Sequence, residues 1–340
     1  MANVINTSLT WTQEDAQKYF LEPMFYENDH MKYIDVMTNI DGASITLDKY
    51  SSLNNITKAI NTDCFAEEST RSLNTNIVLS LCRLEVEHKQ KAQALFSHIK
   101  SQLLKKGISR NDLSGTVMME ILSELIMRGI QRDLSTILWW GDATNGTSGS
   151  SQALCDGIWK CMDTHIGTSG NGVTLAANRV LWTTSTINTL ELMLAARNNE
   201  LAASEQVIFC SRAFADSYAK ELRSNSGAHT AAYADLQNGV GSLRFNGVEL
   251  VVNPSWDTDI QAHGAALANF TNALAPDAIG ETKAAMWTAK NNLTVGTDFS
   301  VQDVDMWYNK DCKENRFRMN YSFGVEIKEP KMVICSVETA

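Results

Sequence analysis

The sequence predicts an α+β fold, and three observations carry that prediction. A long amphipathic stretch, Thr116 to Trp140, reads as one helix. Thirteen residues late in the chain, Arg316 to Lys328, alternate apolar and polar like a half-buried strand. Between them short strands, helices and a hairpin follow one another without any internal repeat, which fits strands and helices that share one or two cores.

In the helix, Met118, Ile121, Leu122, Leu125, Ile126, Gly129 and Ile130 recur at helical spacing and draw an apolar stripe. Glu124 and Arg128 stand at the favourable i, i+4 order on the other face. Ser114 or Thr116 can cap its start, and Gly141 is placed to end it. At 1.5 Å per residue the rod is about 37 Å long. Asp133 falls on the stripe, where an unpaired carboxylate is costly. It pairs with a cation from another segment, faces a neighbouring subunit, or lies where the helix end turns to water.

In chain order, residues 1–35 read as an arm, with a short helix capped at Thr12 and aromatic residues at Trp11, Phe25, Tyr26 and Tyr33. Residues 36–87 read as two strands around a long polar tip. Ala43 to Leu47 follows the turn dipeptide Asp41-Gly42, and Thr75 to Glu87 alternates. The intervening stretch has no core pattern of its own, and loops of that length inside compact domains are usually functional. Lys91 to Lys106 is expected to be a helix with Gly107 as its C-cap. Residues 142–172, rich in Gly, Ser, Thr and Asn around the apolar island Ile158-Trp159, read as a subdomain boundary. A helix is expected over Val180–Asn198, a buried strand over Gln206–Cys210, and a helix from Ser211 to Leu222. Leu243 to Val252 reads as a hairpin around the type I′ dipeptide Asn246-Gly247. Residues 255–282 read as loop with little helix. In the closing strand Phe317, Met319, Tyr321, Phe323, Val325 and Ile327 share the apolar face. Met332 to Val337 is a final buried strand.

Composition narrows the function. The 340 residues are 44 % apolar and 20 % charged, a globular balance. A net charge of −10 with no basic block argues against sequence-specific nucleic-acid binding. Seven irregularly spaced cysteines fit reduced thiols in a cytoplasm better than a disulfide framework. The sequence shows neither a signal peptide pattern nor an apolar run of membrane-spanning length.

Catalytic patterns are thin. Cys155, Cys161 and His165 have a metal-like spacing but lack a fourth ligand, so no metal site is expected. No strand-turn-helix elbow marks a Cys/His nucleophile pair. Glu85 and Glu87 share a strand face, which reads as solvated rather than as an acid/base pair. No cofactor site and no enzyme activity are expected.

The order of these segments resembles the tailed-bacteriophage major capsid proteins, whose fold is named after phage Hong Kong ninety-seven and is shared with encapsulins. The resemblance rests on an arm, a long two-stranded extension, a long helix ending Asp133-LSTILWW-Gly141-Asp142, the hairpin LRFNGVELVVNPS at 243–255, AAMWTAKNNLTVG at 284–296 and ENRFRMNYSFGVEIKEPKMVICSV at 314–337. It implies an N-terminal arm at 1–35 and an extended hairpin loop at 36–80. It also implies a peripheral domain at 81–150 and 284–340 around a spine helix at 116–140, and an axial domain at 151–283. The function implied is a shell built of hexamers and pentamers around phage double-stranded DNA, held without sequence specificity. Portal and head-completion proteins are the implied partners, with a scaffolding protein separate if there is one. The implied location is the virion, assembled in the host cytoplasm and without a membrane. The implied inter-subunit residues are Trp11, Phe25, Lys49, Lys58, Asp133, Arg316 and Arg318; no Lys–Asn crosslink pair is assigned. The alternatives are an encapsulin-like compartment holding protein cargo and a cytoplasmic cysteine hydrolase.

Overall fold

A computed structural model describes residues 29–38, 40, 42–47, 77–91, 117–144, 146, 148–167, 173–224, 243–267, 282–298 and 304–337. The readings at 1–28, at the tip between 48 and 76 and at the 92–106 helix lie outside these residues.

The closing strand organises the first sheet. β1 (Asp35–Met37), β10 (Leu293–Asp298), β12 (Glu314–Ile327) and β11 (Val304–Asn309) follow one another, and β4 (Cys82–Gln90) pairs with the other side of β12. Every apolar residue of the expected alternation, Phe317 to Ile327, is buried. The long helix α1 (Val117–Trp140) contributes Ile130, Leu134, Ile137, Leu138, Trp139 and Trp140 to the same core. Its buried line differs from the sequence stripe. Leu125 is 58 % exposed, and Gly129 and Asp133, one and two turns on, are exposed with it. Asp133 therefore sits on the outward face. Its carboxyl is raised by partial burial against the opposing pull of the Ser151 hydroxyl and the Arg132 charge.

Four tryptophans lock the C-terminal end of α1. Trp140 stacks on Trp159 at 5.0 Å and 7°. Trp256 meets the edges of Trp139, Trp140 and Trp159 at 4.9, 5.5 and 5.7 Å. Each such pair adds about 0.5–1.5 kcal/mol beyond area burial. Trp159 belongs to α2 (Ile158–Gly167) and Trp256 to α7 (Ser255–Leu267). Both helices correct the sequence reading. The apolar island at Ile158 is a core helix rather than a boundary, and 255–267 is helical rather than loop. Trp256, Asp259 and Ile260 of α7 are buried at helical spacing, and the Asn253 carboxamide accepts from Ser255 N at 3.2 Å, turning the chain into the helix.

The remaining elements build a second sheet in the order β5 (Arg179–Leu181), β13 (Ile334–Val337), β9 (Ala284–Ala289), β6 (Gln206–Ser211), β8 (Val248–Asn253), β7 (Arg244–Phe245). It takes strands from both sides of position 283. The β7–β8 turn has φ of 48° at Asn246 and 81° at Gly247, the type I′ geometry that the dipeptide predicts. The expected 180–198 helix is shorter. Residues 179–181 are a strand, and α4 (Thr186–Ala195) starts only after Ser185. Preceding it is the single turn α3 (Leu175–Asn178), and following it are α5 (Asn199–Ala203) and α6 (Arg212–Ser224).

Two short crossings join the sheets, the β9–β10 turn and the link 328–333. Asn292 ties them together: its Oδ1 accepts from Glu329 N at 2.8 Å and its Nδ2 donates to Glu329 O at 3.1 Å. Asn178 Nδ2 donates to Val333 O at 2.9 Å, and Asn198 Nδ2 to Lys331 O at 3.0 Å.

The start of α4 is capped from a distance. The Glu221 carboxylate of α6 accepts from Thr186 N at 2.6 Å, Ile187 N at 2.9 Å and Ser185 Oγ at 2.8 Å. Burial alone would raise this carboxyl, but the Ile187 and Thr186 amides and the hydroxyls beside them outweigh it and hold it below its ordinary value. Its stabilisation is therefore complete above the unfolded carboxyl pKa of about 4.3 and fades as pH falls through the lowered folded value. Glu221→Gln should cost about 1–2 kcal/mol at pH 7 and flatten the acid limb of a stability-versus-pH curve measured by urea unfolding.

Candidate inter-subunit site at the base of the hairpin

The expected two-stranded extension is present at its base. β2 (Ser44–Leu47) pairs antiparallel with β3 (Ile77–Ser80), Ile45 opposite Leu79. The single alternating stretch read from sequence is broken at Leu81, whose amide donates to Ala43 O at 2.8 Å. Beyond the break β4 leaves the hairpin and joins the first sheet.

Two glycines make room for this base. Gly296 of β10 and Gly324 of β12 face each other across the ladder. A Cβ at Gly324 would lie 2.2 Å from Ser80 O, so no side chain fits while β3 runs where it does. A Cβ at Gly296 would meet the ends of Leu79 and Ile40 at 2.5 and 2.7 Å. Gly324 follows Arg318, Asn320 and Ser322 on the polar face of β12, so Leu79, fully buried, and Ile40 make a small second core on the far side of the sheet. The glycine pair is the site feature that sequence reasoning missed. An isolated glycine within a strand pattern at 324 was the available signal, since it marks close backbone approach.

The rest of that polar face is charged. In register, Trp307, Arg316 and Lys89 form one row, and Arg318 and Glu87 belong to the next. The Arg318 guanidinium pairs with Glu85 and, at 3.7 Å, with Glu87; Arg316 pairs with Glu314 at 3.5 Å. Half-exposed pairs of this kind are worth about 0–1 kcal/mol each and leave the arginines available for exchange of partners. Trp307, 38 % exposed, adds an apolar plane beside Arg316. Of the sequence-named residues, the structure brings Arg316 and Arg318 together on this face and sets Asp133 on the outer face of α1. Trp11, Phe25, Lys49 and Lys58 lie outside the described residues.

The readings of chemistry resolve into packing. Glu85 and Glu87 are ion-pair partners of Arg318. His165 Nε2 is bonded to Glu326 at 2.9 Å, and Cys161 Sγ donates to Val325 O at 3.6 Å with its thiol pushed well up by burial. Among the described residues no three His, Cys, Asp or Glu side chains are placed to hold a metal ion, and no helix is long and apolar enough to cross a membrane.

Gly324→Ala should force β3 off the sheet at a cost of about 1–3 kcal/mol, read as faster amide exchange at 77–80. Gly296→Ala, which meets only the ends of Leu79 and Ile40, should cost less. Equal exchange in both variants would contradict this account of the groove.

No protein-family model matches the chain, and no curated protein matches it in sequence. Solved structures do. A chain of the satellite phage P4 procapsid, which includes the size determination protein, superposes with a TM-score of 0.58 at 8 % identity, covering 98 % of this chain and 94 % of its own. The capsid of a native GTA particle gives 0.57 at 12 % identity, with 91 % and 89 % covered. A structure from Mycobacterium phage Bobi gives 0.53 at 10 % identity, with 92 % and 91 % covered. Such low identities carry fold and nothing more. The chain has the phage-capsid fold, the architecture that its order of segments resembles.

Proposed function

We propose that this chain is a major capsid protein, assembling as hexamers and pentamers into an icosahedral shell that encloses phage double-stranded DNA. The observation that carries the reading is the extent of the likeness: 98 % of this chain aligns with 94 % of a procapsid chain, so the shared fold takes up almost all of both. On this reading 1–35 is an arm and 36–80 a loop that reach neighbouring copies. The P domain comprises 81–150 and 284–340, and the A domain comprises 151–283. The role is structural rather than enzymatic, in the virion, after assembly in the host cytoplasm.

The physical argument supports it independently. A two-stranded hairpin held at its base by a glycine groove is marginal by itself and gains stability when a second surface covers it. Heterologous contacts that repeat around five- and six-fold axes close into rings, and rings tile a shell. A small surplus per contact then multiplies over the lattice. Trp11 and Phe25 in the arm, Lys49 and Lys58 in the loop, Asp133 on the spine helix and Arg316 and Arg318 on the polar sheet face are the proposed inter-subunit residues. A net charge of −10 fits a wall that holds DNA without sequence-specific contacts. Portal and head-completion proteins, with a scaffolding protein separate if there is one, are the proposed partners.

Negative-stain microscopy of the expressed full chain should show closed shells, with nuclease-resistant DNA in particles from infected cells. Shells carrying an enzyme cargo would instead identify an encapsulin-like compartment, and a stable 37.6 kDa monomer at high concentration would overturn both. Deleting residues 51–72 should leave folded subunits that build no stable shells; normal particles would refute the role given to the loop. Asp133→Ala should lower shell yield while changing subunit stability by less than about 1 kcal/mol, since the carboxylate faces outward. An unchanged yield would remove Asp133 from the interface.

A further inference from the structure

Among the groups that the shell reading leaves unused, two thiols meet where the hairpin joins the core. Cys82 opens β4 and lies opposite Phe323 of β12. Cys155, just ahead of α2, directs its Sγ at the Phe323 carbonyl, 4.0 Å away. Both residues thus lie against Phe323, and each thiol shifts the titration of the other. Neither is in a disulfide. Their access differs. Cys155 is fully buried, whereas Cys82 is half-buried and lines a cavity of about 230 Å³ between the hairpin base, β12 and α2. Ser80, Asp156, His165 and Glu326 line the same cavity and set polar groups into an otherwise mostly apolar wall, open to a small reagent.

We propose that Cys82 and Cys155 form a reversible disulfide, a thiol-modification site that ties the base of the hairpin to the segment ahead of α2. The oxidant is a low-molecular-weight disulfide, R–S–S–R, entering through the cavity. The Cys82 thiolate attacks one of its sulfurs; the Cys82–S bond forms, the S–S bond breaks, and RS⁻ leaves and takes up a proton. Cys155 then gives its proton to solvent and attacks the Cys82 sulfur, expelling the second RS⁻. Two protein thiols are oxidised to one disulfide and R–S–S–R is reduced to two R–SH. The division of labour follows from the surroundings. The Cys155 side chain holds the Cys82 thiol below its ordinary value, against burial and the Asp156 carboxylate, which push it up. The Cys82 side chain, with burial, pushes Cys155 far up, which suits a resolving thiol that acts only once its partner is modified. Cys161 of α2 lines the same cavity, but its thiol is engaged by the Val325 carbonyl and pushed well up by burial.

The consequence is mechanical. Cys82 sits one residue past the break at Leu81, so the bond would clamp the hinge between the hairpin and the sheet. It would also close a long loop of chain, which stabilises the folded state by restricting the unfolded one.

The test uses the native full-length chain and oxidised glutathione as the probe, followed by alkylation and proteolytic mapping. The expected product is a Cys82–Cys155 cross-linked peptide pair, reversed by dithiothreitol, with the thermal midpoint raised by roughly 5 °C. In Cys155→Ser the reaction should stop at a stable glutathione adduct on Cys82. In Cys82→Ser, Cys155 should stay fully alkylatable after denaturation, which keeps the test decisive if the Cys155 variant does not fold. A stable adduct on Cys82 of the unaltered chain, or reaction confined to the exposed Cys312, would overturn the proposal. None of these readouts depends on assembly, so a failure here leaves the shell reading untouched.

Discussion

The structure depends on one close approach, where the backbone leaving α1 touches the backbone entering α2. Gly157 N donates to Gly141 O at 2.9 Å. A Cβ on Gly141 would stand 2.2 Å from Cys155 O, and one on Gly157 would stand 2.5 Å from Ile137 O. Only glycine permits that contact. It brings Trp159 flat against Trp140, and Trp256 then closes over both. The buried Asp142 carboxylate, paired with Lys160 at 3.2 Å, braces the same turn. Burying a charge at that depth is tolerable because Thr144 N also donates to it.

From this knot the molecule extends in two directions with different stiffness. Towards the second sheet the connections are short and heavily hydrogen-bonded, with asparagines 178, 198 and 292 saturating the carbonyls and amides of the crossing segment. Towards the hairpin the connection is one groove of two glycines and a few aliphatic side chains. Cooperative stability follows buried area and satisfied backbone, and the described hairpin base has only Leu79 and Ile40 to bury against the sheet. On the proposed shell reading, neighbouring copies supply the further contacts that the hairpin base lacks within its own chain.

On the proposed shell reading, the polar face of the first sheet serves a subunit both alone and beside a neighbour. Arg318 and Arg316 have carboxylate partners within the chain, so a solitary copy leaves no charge stranded there. Those pairs are half-exposed and cheap to break, so on the proposed shell reading a neighbouring copy offering carboxylates in better geometry replaces them.

Much of the fold was legible because it is written in short-range patterns. The 316–328 alternation, the Asn246-Gly247 turn, the Ser211 cap and the apolar run of β6 each state a local preference that nothing in the tertiary structure opposes. The errors came where local signals were weak or tertiary contacts overrode them. Residues 255–267 look like loop because Ala and Gly dilute the periodicity, yet burial of Trp256 and Ile260 makes them a helix. Residues 179–181 read as the start of a helix, but the edge of β13 draws them into a strand. Asp133 fell on the extrapolated apolar stripe of α1, whereas the core meets that helix along the Ile130–Leu134–Ile137 line and leaves the carboxylate outward, close to the reading in which the helix end turns to water. The candidate site was legible only in outline. A coreless hairpin and a charged strand face are visible in composition, but the Gly296–Gly324 groove and the meeting of Cys82 with Cys155 join residues far apart in the chain. Local sequence determined which segments are helix, strand and turn, because those choices rest on side-chain spacing and backbone preference. Only the tertiary structure decided which faces are buried and which distant residues touch, because those depend on how separate segments fill the same space.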